Sequence, residues 1–207
     1  NYGANIIFTN PKQAFLDAEN AKNEGYYFIH PFDGPLTLQG SATLGFEIVE
    51  YINSINTKID NLLISVGGGG LISGVSSYVK QFYPKIRIIG VEPEHANGLS
   101  QSIKVNRPLN NLKVNSIADS LSAPLHMQYS FDIAKELIDE MVTVSDDQMK
   151  EFMVFCYKNF KLFLEPACVA GLAALKYKIN YGLNRKNTMV ILCGSNIDKK
   201  TWINLTN

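Results

Sequence analysis

Apolar positions along the chain recur in two alternating patterns. Continuous apolar runs read as buried strands at residues 61–67 (NLLISVG), 86–93 (IRIIGVEP), 141–144 (MVTV) and 187–194 (NTMVILCG). Shorter apolar stretches at 5–9 (NIIFT) and 26–30 (YYFIH) read as strands as well. Between them lie segments of helical spacing. Residues 11–25 carry a stripe at Ala14, Phe15, Ala18 and Ala21, with Pro11 at the start and Gly25 at the end. Residues 41–55, 71–83 and 165–179 read as helices, the second ending before Pro84, and a helix leads from residue 130 towards the 141–144 strand. Another helix follows a cap at Ser145. Residues 31–40 (PFDGPLTLQG) are rich in Pro, Gly and Asp and read as a loop. Strands alternating with helices predict βαβ units and a doubly wound, mostly parallel sheet in an α/β fold. The domain boundary is expected in the 31–40 loop, with residues 1–36 forming a short leading unit and 37–207 the larger one.

The segment SVGGGGLISG sits where an apolar strand meets a helix, and it holds four consecutive glycines, Gly67 to Gly70. A tight turn needs one or two. Strand, glycine turn and helix N-terminus together make an anion site, because free backbone N–H groups and the helix dipole point at the same spot. Two familiar phosphate loops do not fit. No lysine follows Gly70 or Gly74, as a Walker loop requires, and Ile72 breaks the dinucleotide pattern although Glu92 stands at a suitable distance.

Composition narrows the classes. Of the 207 residues 46% are apolar and 18% charged, enough for a sizeable core. Lys+Arg and Asp+Glu number 19 each, which argues against a nucleic-acid partner and a polybasic membrane anchor. No apolar run reaches the roughly 18 residues of a membrane span. Three cysteines without metal-like spacing, Cys156, Cys168 and Cys193, fit a reducing cytoplasm. His30 and His126 read as structural and His95 as a surface turn residue; no Ser–His–Asp or metal-ligand cluster emerges.

The glycine loop together with FIHPFDGPLTLQGSATLGFEI, IIGVEPEHAN, SIADSLSAP, DEMVTVSDDQM, FLEPACVAGLAAL and VILCGSNID resembles fold-type II pyridoxal-phosphate (PLP) enzymes, a fold like that of the tryptophan synthase β chain. Within these the chain is most similar to the serine/threonine dehydratases and serine racemase. The resemblance implies that Gly67, Gly68, Gly69, Gly70 and the Leu71 amide cradle the PLP phosphate. It implies that Cys193 meets the pyridine nitrogen, where a neutral thiol leaves the ring less electron-withdrawing than a carboxylate partner would. Alone, Cys193 also reads as a small core residue. Glu165 stands where the family places a glutamate near the cofactor, and equally well at a helix cap. Ser120 replaces the glycine of an A-D-G motif.

Glu92 and the Ala96 carbonyl match two ligands of a divalent-cation site, with Gly98 in place of its aspartate. A divalent or monovalent cation is therefore a further expectation. The family's Schiff-base lysine, in an S-x-K-x-R context, and its S-x-G-N substrate segment have no counterpart here. Lys12 and Lys22 lie on the leading helix, which comes later in the family's order. The chain is thus expected to lack the amino-terminal third, leaving residues 1–36 as a remnant of the small domain, and to hold no catalytic residue of its own. The implied activity of the whole protein is dehydration of L-threonine or L-serine to a 2-oxo acid and ammonia by a cytoplasmic homo-oligomer. Amino-acid racemisation, or a non-catalytic phosphate-binding relative, are the alternatives.

Overall fold

The computed structural model describes residues 3–178 and 186–206. It divides into two compact units, Asn1–His30 and Pro31–Asn207.

The first unit is built on helix α1 (Pro11–Ala21), whose N-terminus is capped by Asn10; the Asn10 side chain accepts the Gln13 N–H at 2.9 Å. A 3-10 turn over Lys22–Glu24 ends at Gly25 with φ 91°. The strands expected at 5–9 and 26–30 do not form. Their apolar side chains are exposed, Phe8 at 92% and Tyr27 at 77%. A strand exists only where a neighbour takes up its N–H and C=O groups, and this unit offers none among its described residues.

The second unit holds a four-stranded, fully parallel sheet: β1 (Asn61–Ser65), β2 (Arg87–Pro93), β3 (Glu140–Val144) and β4 (Thr188–Val190) in the order β3-β2-β1-β4. Its strands alternate faces. Leu62, Ile64 and Ile88 pack with helices α2 (Pro35–Ser54), α3 (Gly70–Phe82) and α5 (Gln128–Leu137) on one side. Leu63, Ile89, Val91 and Val144 pack with α6 (Asp146–Phe160), α7 (Pro166–Tyr177) and Trp202 of α8 (Lys199–Thr206) on the other. Burial on both faces explains why the strands read as unbroken apolar runs. The Ser145 cap is present as a full capping box with Gln148.

Several elements differ from the sequence pattern. Helix α2 starts at Pro35, inside the expected loop, with Pro at the first turn and Gly34 (φ 90°) as its cap. Strand β4 is three residues long, although the Ile191 N–H still donates to Leu63 O at 3.1 Å. Helices α4 (Gly98–Lys104) and α8 were not anticipated, because seven or eight residues are too few to show a periodicity. The expected end of α7 at Ile179 lies outside the described residues.

Helices α2 and α3 approach closely at Gly45 and Gly74. A Cβ on Gly74 would lie 2.5 Å from Leu38 O, and one on Gly45 would lie 2.9 Å from Val75 O. The fifth glycine of the GGGGLISG segment therefore serves helix packing.

Candidate functional site

Strand β1 is where the connections change direction: β2 lies on one side of it and β4 on the other. In parallel α/β sheets the crevice beyond the carboxyl ends of such strands is the binding position. A cleft of about 300 Å³ opens there. It is lined by Gly67, Gly68, Gly69 and Leu71 after β1, by Ser120, by Glu165 and by Cys193 after β4. Seven of the eight candidate cofactor residues thus meet in one cavity from four separate parts of the chain. Gly70, the eighth, is the first residue of α3.

Each glycine of the loop is bare for its own reason. A Cβ on Gly67 would lie 2.9 Å from Ser120 O, and one on Gly70 would lie 2.7 Å from Phe32 O. A Cβ on Gly68 would overlap the Phe32 ring at 2.2 Å. Gly69 has open space but φ +93°, where an L side chain is strained. Neighbouring protein, above all Phe32, thus accounts for three of the four. Asp33 holds the Phe32 segment in place by accepting the Ser130 N–H of α5 at 2.7 Å. Behind the loop, Ser73 is the first α3 residue whose N–H bonds within the helix, to Gly69 O at 3.0 Å. The N–H groups of Gly70, Leu71 and Ile72 precede it and have no intrahelical acceptor.

Glu165 occupies the N-cap position of α7, yet its side chain makes no cap hydrogen bond. Its carboxylate instead accepts the Ser120 hydroxyl at 3.2 Å and the Asn196 N–H at 3.0 Å. Gly194 (φ +132°) makes room, since a Cβ there would lie 2.5 Å from Glu165 Oε1. Cys193 is exposed and is not part of the core. The cleft wall desolvates its thiol and, with the Glu165 carboxylate nearby, raises its pKa above the ordinary value, so it stays neutral at physiological pH. Cys168, buried in α7, is pushed up to about 12, chiefly by burial.

Glu92 and Ala96 stay outside the cleft. Glu92 is fully buried, and its carboxylate accepts the Leu99 N–H at 2.7 Å, the Ser100 N–H at 3.0 Å and the Ser100 hydroxyl at 2.5 Å. Burial raises its pKa to about 7 against the pull of those three donors. The carboxylate is thereby committed to the start of α4, and among the described residues no group of three or more His, Cys, Asp or Glu could hold a metal ion.

A family model described as pyridoxal-phosphate dependent enzyme matches residues 1–194. The chain belongs to this family. Phenylserine dehydratase of Ralstonia pickettii is 38% identical over 97% of this chain and 61% of its own length. L-threonine ammonia-lyase of Geobacter sulfurreducens is 33% identical over 97% of this chain and 49% of its own. Among solved structures, serine racemase from maize superposes with a TM-score of 0.86 at 28% identity, covering 98% of this chain and 62% of that one. The chain therefore spans about half to three fifths of the length of these relatives.

The cleft suits the cofactor of this PLP family. The phosphate end needs N–H donors without side chains in front of them, and the glycine loop with the α3 N-terminus can supply these. The ring end needs polar contacts among apolar walls. Cys193 can supply one. Ser65, the last residue of β1, is another: its hydroxyl is buried at the cleft with no hydrogen-bond partner among the described residues. Ser65 was overlooked, although a lone hydroxyl inside the apolar run LLISV was a signal. Phe32 was read only as part of the 31–40 loop and His126 only as a structural residue, and nothing local in the sequence gave either a place at the glycine loop.

Proposed function

We propose that the whole protein is a PLP-dependent ammonia-lyase of β-hydroxy amino acids, L-threonine or L-serine, releasing a 2-oxo acid and ammonia. The observation that carries this reading is the convergence of the glycine loop, Ser120, Glu165 and Cys193 on one cleft. Phenylserine dehydratase and L-threonine ammonia-lyase, by their names, perform this class of reaction. Residues 1–36 then belong to the small domain of such an enzyme and 37–207 to its large one. A cytoplasmic homo-oligomer is part of the same proposal.

In this reading the amides of Gly67 to Leu71 bind the phosphate, with the α3 dipole as the local positive charge. Among the described residues no lysine or arginine lines the cleft to share that work. The neutral Cys193 thiol would be the side chain that meets the ring nitrogen. Glu165, pinned by Ser120 and the Asn196 amide, would hold negative charge beside the ring. When bound, PLP supplies the electron sink that weakens the bond from the substrate Cα to its proton. The base that takes this proton is assigned to a lysine outside the cleft-lining residues of this chain. By itself the chain is expected to bind the cofactor and to convert nothing.

The test is an assay of the longer protein containing this chain, saturated with PLP, for 2-oxo acid release from L-threonine and L-serine. Release from either supports the lyase. Exchange of L- and D-serine without oxo acid would instead favour a racemase, a reading with support from the likeness to maize serine racemase. Cofactor retention with neither reaction would leave a non-catalytic relative.

A further inference from the structure

Against the glycine loop, among residues that do not line the cleft, lies a chain of buried polar groups that the lyase reading does not use. His126 is 5% exposed. Its Nε2 is 3.1 Å from Gly67 O, and its Nδ1 is 3.2 Å from the Ser102 hydroxyl. Ser102, fully buried on α4, already accepts the Leu109 N–H at 3.1 Å. Its own proton is therefore free to go to Nδ1. That leaves the ring proton on Nε2, where it donates to the Gly67 carbonyl. Gly98 makes the space for this ring, because a Cβ there would lie 2.7 Å from His126 Cε1. Position 98 is also where the family resemblance expects an aspartate. Upstream, the Glu92 carboxylate fixes the start of α4, and so the helix that carries Ser102.

We propose that His126 is a positioning residue for the phosphate cradle, holding the Gly67–Gly68 peptide in the one orientation that presents the Gly68 N–H to the cleft. The proposal rests on the reading of this cleft as the cofactor site. In a trans peptide the C=O and the following N–H point in opposite directions. His126 is not among the residues that line the cleft, so a Gly67 carbonyl held by it is directed away from that lining, and the opposed Gly68 N–H is left to the cleft. A peptide between two glycines has no side chain to bias it and flips easily. The ligand would otherwise have to select the productive orientation itself, and affinity falls by the fraction of time that orientation is absent.

The experiment uses the 207-residue chain and pyridoxine 5′-phosphate, which carries the phosphate but no aldehyde to react with surface lysines. His126→Gln keeps a donor for Gly67 O, and His126→Leu removes it. Folding of each is checked by circular dichroism. The Gln variant is expected to bind within a few-fold of the parent, and the Leu variant to bind about tenfold more weakly. Binding of unphosphorylated pyridoxine should not change.

A second readout needs no ligand. The ¹⁵N spectrum should show His126 protonated at Nε2 alone, and the Gly68 amide should exchange faster in the Leu variant than in the Gln variant. A proton on Nδ1 would overturn the proposal, as would equal exchange and binding in the two variants. If His126→Leu does not fold, Ser102→Ala takes its place with the same expected direction. A parent chain that does not bind pyridoxine 5′-phosphate would sink the cofactor-site reading, while the exchange comparison would still decide whether His126 positions the loop.

Discussion

At the scale of single residues, Gly69 and Cys193 face the cleft with different chemistry. Gly69 has open space in front of it and only its φ of +93° against a side chain. Asp tolerates this left-handed region better than most residues. Gly69→Asp is therefore expected to lower stability by only about 1 kcal/mol while abolishing binding of pyridoxine 5′-phosphate, since a carboxylate would stand against a phosphate. Thermal unfolding and equilibrium dialysis on one preparation separate the two effects; retained binding would move the phosphate elsewhere. At Cys193 the raised pKa means less thiolate at neutral pH. Its alkylation at pH 7 should be slower than that of free cysteine and should speed up with rising pH, with Cys156 and Cys168 inert while the chain is folded. Mass-spectrometric mapping of the alkylated residues checks this, and rapid labelling at pH 7 would contradict the raised pKa of the thiol.

At the scale of elements, α4 is held by one buried acid. The Glu92 carboxyl has an ordinary pKa of 4.5 and one of about 7 in the folded chain. Between those values the folded state binds more protons than the unfolded, so its stability contribution declines as pH rises through the window. The full effect is on the order of 3 kcal/mol. His126 runs the other way: burial lowers its pKa, so stability is lost as pH falls below the ordinary value of 6.5. Comparing urea unfolding of the parent and Glu92→Gln at pH 5 and pH 8 isolates the first contribution, and equal pH slopes would exclude it. Helix α8 depends on Trp202, whose indole donates to Leu164 O at 3.1 Å and stacks on Phe163 at 5.0 Å. Trp202→Ala should lower stability by about 3–5 kcal/mol, as read by chemical denaturation. A loss under 1 kcal/mol would mean that α8 is not docked as described.

At the scale of the whole molecule, the two units differ in how much of their apolar surface they bury. In Pro31–Asn207 the sheet is sandwiched between two apolar clusters, and Leu63, Ile64, Ile88 and Ile89 are completely inaccessible. In Asn1–His30 the residues Ile6, Ile7, Phe8, Tyr26, Tyr27 and Ile29 are all more than two-thirds exposed. Chymotrypsin should accordingly cut after Phe8, Tyr26 or Tyr27 first and leave a resistant fragment of the second unit. Early cleavage within β1 or β2 would contradict the described core.

The sequence alone determined whatever depends on neighbours in the chain. The runs at 61–67 and 86–93 are apolar on both faces because a covered parallel strand must be. The Ser145 box and the GGGG turn are legible because caps and turns are built within a few residues. The motif order was enough to place the chain among PLP enzymes. Only the tertiary structure decided what long-range contacts impose. The 5–9 and 26–30 stretches have strand-like composition but lack partners, and composition cannot supply a partner. Three of the loop's glycines are bare because Phe32 and Ser120 press against them from 35 and more residues away in the chain. His126 reaches Gly67 across 59 residues, a distance at which no local pattern in the chain carries information.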